Sequence, residues 1–526
     1  MNILLSLVLA LGSHVVEDPG SKENRIDYLV LAPAEFVDAL APLAEHRKAG
    51  GLRVGIVTLE SIRKQWKSPL DFVRFASREW KPPSPRFLLL VGDADRIPPI
   101  LRRSHYQTKK FQNDPELATD HLYGVPEKGL HATMAVGRFP ADSVEEVAAM
   151  AGKTVRYEAK LAPGTWQKKI KFITGEAGFN PFIDAFIEKQ FTRIVSDNIP
   201  PPYDIELAYS KTTSRYCPYP PEFNENAIRL LNDGSLFYVY VGHGFRRGFD
   251  NIRWKKEVYP IFNLQHVPRV EIRNGLPVMF VIACSTAFFD ARSGDCIGEE
   301  LFKKEKGPVA FIGGTRITQP YVNALIGKAM IAQVFGPTPP TLGEALIEAK
   351  KEVLGKDGSA LRKSADRLAG MIQGPGNLEA MRKDGVLHYI LLGDPALRLR
   401  TPETTVTLSC LRKVRAGDRL IVRGKTPFPR GTVTLQLDCL RNEFAGILPN
   451  AALSSPTFRN DITERYRAAN DKRITSLTRK FEKGTFTLAL PLPSSLRERD
   501  YFLKATVVGP NGVGLGWVPV ECVEGN

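Results

Sequence analysis

Short apolar runs alternate with longer amphipathic ones along the first part of the chain. Tyr28–Ala32, residues 54–59 and Phe87–Val91 are rich in Val, Leu and Ile, and read as buried strands. Between the first two, residues 34–48 carry apolar positions at helical spacing, and residues 60–80 repeat that pattern before the third. Strand alternating with helix predicts right-handed crossovers and a parallel sheet. Residues 132–136 add a short strand. Residues 143–160 predict a helix, with Asp142 or Ser143 as its cap and Glu145 and Glu146 in its first turn. The Pro and Gly of residues 161–164 (LAPG) then break the pattern. They predict a boundary between an α/β subdomain over 26–160 and a second over 165–399.

The alternation resumes after the break. Residues 170–174 predict a strand and 182–195 a helix. Residues 235–241 and 276–283 predict two long buried strands, followed by a helix at 296–304 and a strand at 309–313. Residues 321–335 and Leu342–Leu354 are helical by spacing, and 387–392 close the series with a strand. Beyond Leu399 the texture changes. Residues 405–408, 419–422, 433–437, 486–490 and 502–508 are short and β-rich, with Gly and Pro between them. They predict a β-sandwich over 402–524, interrupted at 450–480 by a polar, partly helical insertion.

Composition adds less. With 526 residues the chain has room for two or three domains. The formal net charge of +15 is spread along the chain, with only short clusters such as 166–171 (WQKKIK). No RNA-module or zinc-finger pattern accompanies it, so it reads as diffuse surface charge and no nucleic-acid partner is expected. Residues 3–11 (ILLSLVLAL), followed by Gly12 and Ser13, read as the core of a signal peptide over 1–13, although no Lys or Arg precedes them. The same run also fits a buried first strand. Export is the expectation, because residues 13–25 are polar and Tyr28–Ala32 already reads as the first strand. No other stretch suits a transmembrane anchor. Six cysteines are too few for a disulfide framework. Cys296 precedes an apolar helical pattern and reads as a packed small residue.

Candidate chemistry sits at the ends of the two longest apolar runs. Residues 235–241 (SLFYVYV) lead into Gly242-His243-Gly244, and residues 276–283 (LPVMFVIA) into Cys284-Ser285-Thr286. The crevice of an open parallel sheet lies at the carboxyl ends of its strands. If the two strands are neighbours, His243 and Cys284 meet at one edge, as a thiol nucleophile and its base. Taken singly, Cys284 reads equally as a core cysteine and His243 as a turn histidine held by backbone bonds. Ser285 and Thr286 suit a sharp turn out of the sheet. An adjacent imidazolium favours the thiolate.

The segments YVYVGHG…FD and FVIACSTAFFD…CIGEELFKKEKGPVAFIGGTR resemble the gingipain-type cysteine peptidases. Residues 88–98 (LLLVGDADRIP), 136–141 (VGRFPA) with Lys153, Tyr157 and Glu158, and 391–397 (LLGDPAL) resemble further segments of that family, in the same order. The resemblance runs from Asp27 to Leu399. It implies a caspase-like parallel-sheet α/β/α domain in two halves, followed by an immunoglobulin-like β-sandwich. It also implies an oxyanion hole from the backbone N–H groups of Cys284 and Gly244. A substrate pocket would be bordered by Gly314, Thr315 and Arg316, where Arg316 suits an acidic side chain or is simply solvated. The family carries a long pro-domain, for which little chain precedes Tyr28. Residues 212–226, rich in Pro and Tyr, are the expected cover of the crevice instead.

A triad needs a carboxylate to orient the imidazole. Glu176 is the best placed, ahead of Asp250 and Asp290, and reads equally as a solvated turn residue. Asp93-x-Asp95 after an apolar strand is also how phosphatases of the haloacid-dehalogenase type begin, but the Arg96-Ile97-Pro98 that follows does not fit them. No cofactor or catalytic metal is expected, and a structural calcium is left open without ligands. The expected function is an exported cysteine endopeptidase, periplasmic, cell-surface or secreted in a bacterium, cleaving polypeptide through a Cys284–His243 dyad and an acyl-enzyme. A sortase-like transpeptidase would use the same nucleophile. A silent scaffold would need neither residue.

Overall fold

The computed structural model describes residues 14–107, 114–176, 195, 197–336, 339–355 and 358–524. The apolar start at 3–11, and the helix expected at 182–195 apart from Val195, lie outside the described residues. Among the described residues no helix is long and apolar enough to cross a membrane.

A ten-stranded sheet organises the chain as far as Leu392. In chain order its strands are β1 (Tyr28–Ala32), β2 (Val54–Thr58), β3 (Phe87–Val91), β4 (Ala135–Phe139), β5 (Lys169–Thr174), β6 (Asp204–Tyr209), β7 (Phe237–Val241), β8 (Val278–Ile282), β9 (Ala310–Gly314) and β10 (Tyr389–Leu392). Their order in space is β2-β1-β3-β4-β10-β9-β8-β7-β5-β6. All neighbours run parallel except β9 and β10. Every residue of β1, β3, β8 and β9 is buried, as strands covered on both faces require. Helix α1 (Val37–Ala49) packs against α2 (Val144–Ala159), and Ser143 caps α2 by accepting from the Glu146 N–H at 3.2 Å. The break at 161–164 falls between α2 and β5, but the sheet continues across it, with Leu392 of β10 opposite Arg138 of β4.

Several elements differ from the sequence pattern. The strand expected at 132–136 lies at Ala135–Phe139. Gly137 and Arg138 looked like its end and are its interior. A Cβ at Gly137 would stand 2.1 Å from the Gly393 carbonyl oxygen, so the backbones approach too closely for a side chain. Arg138 is fully buried. Strand β6 (DIELAY) is an edge strand whose charged, half-buried residues hide its apolar pattern.

The C-terminal region is an immunoglobulin-like sandwich. One sheet contains Arg430–Cys439, Arg473–Glu482, Arg499–Val508 and Val513–Cys522; the other pairs Thr407–Ser409, Arg419–Lys425 and Thr485–Pro491. Residues 450–480 contain the expected helix, but they also contain a strand of the sandwich itself. The helix is Phe458–Asn470, with Phe458, Ile462, Tyr466 and Ala469 buried. Asn470 accepts from the Leu207 N–H at 2.8 Å and donates to the Leu207 carbonyl at 3.0 Å. The helix thereby covers the edge strand β6, whose open backbone groups would otherwise invite further strand pairing.

Candidate active site

The parallel register sets the site. Val241 of β7 lies opposite Ile282 of β8, the last pair of the ladder; His243 and Cys284 each stand two residues beyond it, where the histidine loop lies against the cysteine turn. The Gly242 N–H donates to the Ile282 carbonyl at 3.3 Å, extending the ladder. On the other side Thr174 of β5 lies opposite Val241 and Gly175 approaches Gly242, with Glu176 the next residue of the chain.

Each strand end is fixed locally. The Tyr240 hydroxyl donates to the His243 carbonyl at 2.7 Å and accepts from the Asp250 N–H at 3.2 Å. Its ring stacks on Phe249 with centroids 4.1 Å apart. Burial pushes its pKa up, so it remains a donor. His243 is exposed. A Cβ on Gly244 would stand 2.6 Å from the Cys284 carbonyl oxygen and 2.8 Å from Ala283 and Thr286; only glycine lets the histidine loop lie on the cysteine turn. At that turn Ser285 takes φ +54, a left-handed backbone rare for a residue with a side chain. Its N–H donates to the Arg316 carbonyl at 3.0 Å, and the Ala287 N–H to the Gly314 carbonyl at 2.9 Å. Cys284 is half-buried. Its Sγ accepts from the Thr318 N–H at 3.3 Å and lies 3.6 Å from the Thr318 hydroxyl.

The remaining expected residues fall differently. Glu176 is exposed, and its charge bears on the Cys217 thiol, which burial first and foremost pushes up to about 12. Asp250 is half-buried beside Gly175. Asp290 grips Arg316 through two hydrogen bonds of 2.7 and 2.6 Å. Arg316 is buried and stacks on Phe288 at 4.0 Å. Its charge is already balanced within the fold, which corrects the expectations that it suits an acidic substrate side chain or is solvated. The Thr315 hydroxyl donates to the Ala118 carbonyl at 2.8 Å, so it is engaged within the fold. Gly314 is buried against Ala283 and Thr318. Residues 212–226 bond to β6 and the C-terminal insertion, through Tyr216 with Tyr209 and Ser214 with Arg465. Thr318 and its neighbours Asn323 and Tyr389 were not singled out from sequence: they come from separate elements and share no spacing.

All six cysteines are free, and burial raises the Cys296 thiol well above its ordinary range. Among the described residues one carboxylate group offers ligand atoms within 4.8 Å of one another: Asp93, Asp95 and Asp142. The Lys303 ammonium stands 2.7 Å from Asp142.

Comparison with known proteins agrees with this architecture. The model of peptidase family C25 matches residues 21–400. A solved structure of the Arg-specific cysteine proteinase gingipain R superposes with a TM-score of 0.54 at 17% identity, over 97% of this chain and 99% of that one. A complex of Porphyromonas gingivalis RgpB pro- and mature domains gives 0.52 at 17% identity, over 94% of this chain and 100% of the other. At such identity these likenesses speak to the caspase-like fold. A curated relative, an uncharacterized protein of Archaeoglobus fulgidus, is 22% identical over 335 residues, 55% of this chain and 75% of the relative. Because the family match spans most of the chain, including both strand ends with His243 and Cys284, the chain belongs to peptidase family C25, the gingipain family, and is a cysteine-type peptidase.

Proposed function

We propose that the protein is an exported endopeptidase whose nucleophile is Cys284 and whose base is His243. The observation that supports this reading is the parallel pairing of β7 with β8, beyond whose last pair, Val241 and Ile282, His243 and Cys284 each follow by two residues. In the reaction His243 takes the thiol proton and the sulfur attacks the substrate carbonyl carbon. The oxyanion gathers against the N–H groups of Cys284 and Gly244, donors worth a few kcal/mol in such sites. His243 then protonates the leaving amine, and the C–N bond breaks to leave a thioester. Water, deprotonated by His243, attacks the thioester, and the acid leaves as the sulfur regains its charge.

Asp250 and Glu176 are the carboxylates nearest the histidine loop in sequence and register, and either would steady the imidazolium. Export is supported by the apolar run at 3–11 followed by Gly12 and Ser13. The test is Cys284→Ala. It should abolish turnover of a peptide substrate and labelling by a thiol-directed peptidyl inhibitor while unfolding at the wild-type temperature. Undiminished turnover would end the reading. Amine products formed in place of acid would make the enzyme a transpeptidase.

A further inference from the structure

The Cys284 sulfur stands at the end of a chain of hydrogen-bonding side chains. The Tyr389 hydroxyl donates to Asn323 Oδ1 at 2.8 Å. Asn323 Nδ2 donates to the Thr318 hydroxyl oxygen at 2.9 Å. That oxygen lies 3.6 Å from Cys284 Sγ, and the Thr318 main-chain N–H donates to the same sulfur at 3.3 Å. A hydroxyl has a single proton. With the Thr318 oxygen accepting from the amide, its own proton is left to the sulfur or to the Tyr389 oxygen, and once the sulfur is charged it is the stronger acceptor. Tyr389 is fully buried. Burial, and then the nearby Cys284 charge, push its pKa well up, so it stays a donor. The three residues come from different elements. Tyr389 opens β10 opposite Gly314 of β9, Asn323 is in the first turn of helix Pro320–Val334, and Thr318 lies in the link between β9 and that helix. Packing, rather than local chain geometry, holds the chain of bonds together.

We propose that Tyr389 and Asn323 are positioning residues that aim the Thr318 hydroxyl at Cys284, and that this hydroxyl, with the Thr318 N–H, stabilises the thiolate. The proposal rests on the reading of Cys284 as the nucleophile. No proton travels along the chain. When the Sγ proton leaves for the base, the charge left on sulfur meets two donors already in place, and hydrogen bonds to a charged form favour it. In the thioester the sulfur is neutral and the donors hold it weakly. When water attacks, they favour its departure as thiolate.

The experiment measures alkylation of Cys284 in the full-length protein by iodoacetamide as a function of pH, followed by mass spectrometry of the Cys284 peptide. Thr318→Val should move the midpoint up by about one pH unit, the scale of one hydrogen bond to a charged group. Tyr389→Phe, which removes one oxygen away from the sulfur, should move it the same way by less. Thr318→Ser keeps the O–H and should restore the wild-type midpoint. An unchanged midpoint in both Thr318→Val and Tyr389→Phe overturns the proposal. A Thr318→Ser midpoint shifted as far as that of Thr318→Val also overturns it, because packing and not the hydroxyl would then set the sulfur. Alkylation needs no turnover, so these outcomes are independent of Cys284→Ala: activity in that variant sinks the nucleophile reading alone.

Discussion

The two sides of the ten-stranded sheet finish their strands in opposite ways. On the N-terminal side the strand ends are closed by buried charge. Arg138 of β4 binds Asp120 through bonds of 2.7 and 2.8 Å, and donates to the Gly92 and Ile97 carbonyls that follow β3. Arg47 binds Asp394, just beyond β10, at 2.7 Å and Glu158 at 2.6 Å. On the other side, β7 and β8 lead into a glycine-flanked histidine and a half-buried thiol, and the Thr318 groups that touch the sulfur are neutral. Arg316 and Asp290 do pair near this edge, where the Arg316 carbonyl takes the Ser285 N–H. A buried, fully paired ion fixes geometry while contributing little net stability. A thiol met by neutral donors keeps its reactivity. The same topology thus serves as a lock on one side and a reactive edge on the other.

The largest test of this contrast is kinetic. His243→Ala should lower kcat/KM by about 10²–10⁴-fold, the range for loss of a general base. The unfolding temperature should stay at the wild-type value, because the side chain is exposed. Wild-type kinetics would remove the reactive edge from the comparison. The lock should behave conversely. Arg138→Leu leaves Asp120 buried without its cation and should cost about 3–5 kcal/mol in denaturant unfolding. Arg138→Leu with Asp120→Leu should recover most of that loss. If the double variant is as unstable as the single one, packing and not charge closes those strand ends.

Legibility in the sequence follows the same division. The reactive edge could be read because its strands are long, apolar and unbroken, so that His243 and Cys284 stand out at their ends. The lock was misplaced, because a fully buried Arg138 beside Gly137 looks like a strand end until Asp120, far off in sequence, is seen to neutralise it. Edge strand β6 carries Asp204 and Glu206 and lacks an apolar signature, since one side of it is covered by a helix from another domain. Arg316 illustrates a third limit. A motif can locate a residue at a pocket, but its partner, Asp290, decides whether its charge is available. Thr318, Asn323 and Tyr389 meet only through packing, and no local pattern announces them.

The C-terminal insertion gives a smaller test, at the border between the reactive half and the sandwich. The Phe458 ring stacks on Trp254 with centroids 4.9 Å apart and planes 8° from parallel. Trp254 belongs to the strand Asn251–Trp254, which directly follows Asp250. Phe458→Leu keeps most of the volume and loses the stack, and should cost about 1 kcal/mol. The signature is local: faster protease cleavage within 450–472 and faster amide exchange across 251–260, with the β8 amides unchanged. Uniform loosening of the whole sheet would mean that the insertion supports the fold generally and not that border.

The smallest expected effect is a pH dependence on the locked side. Burial pushes the Glu158 carboxyl up, but hydrogen bonds from His46 and Arg47 and the Arg47 charge outweigh it and hold the carboxyl below its ordinary range. A carboxyl whose pKa is lower folded than unfolded contributes stability above its unfolded pKa, and that stability is lost as pH falls through the folded value. Glu158→Gln removes the titration and keeps the shape. Wild-type protein should be the more stable of the two at pH 7, with the gap closing as pH falls below the ordinary glutamate range of about 4.3. Paired urea titrations from pH 7 to pH 3 measure it. The sign separates this network from the Glu299 carboxyl, in the helix Ile297–Lys303 that follows the Cys284 turn. There burial, with Asp93 and Asp295 nearby, pushes the pKa well up, so the stability linked to Glu299 is present at low pH and lost as pH rises. Glu299→Gln should therefore gain on wild type as pH rises from 4 to 8, the reverse of Glu158→Gln. Two gaps moving in the same direction would mean that Glu158 and Glu299 are not held in opposite states.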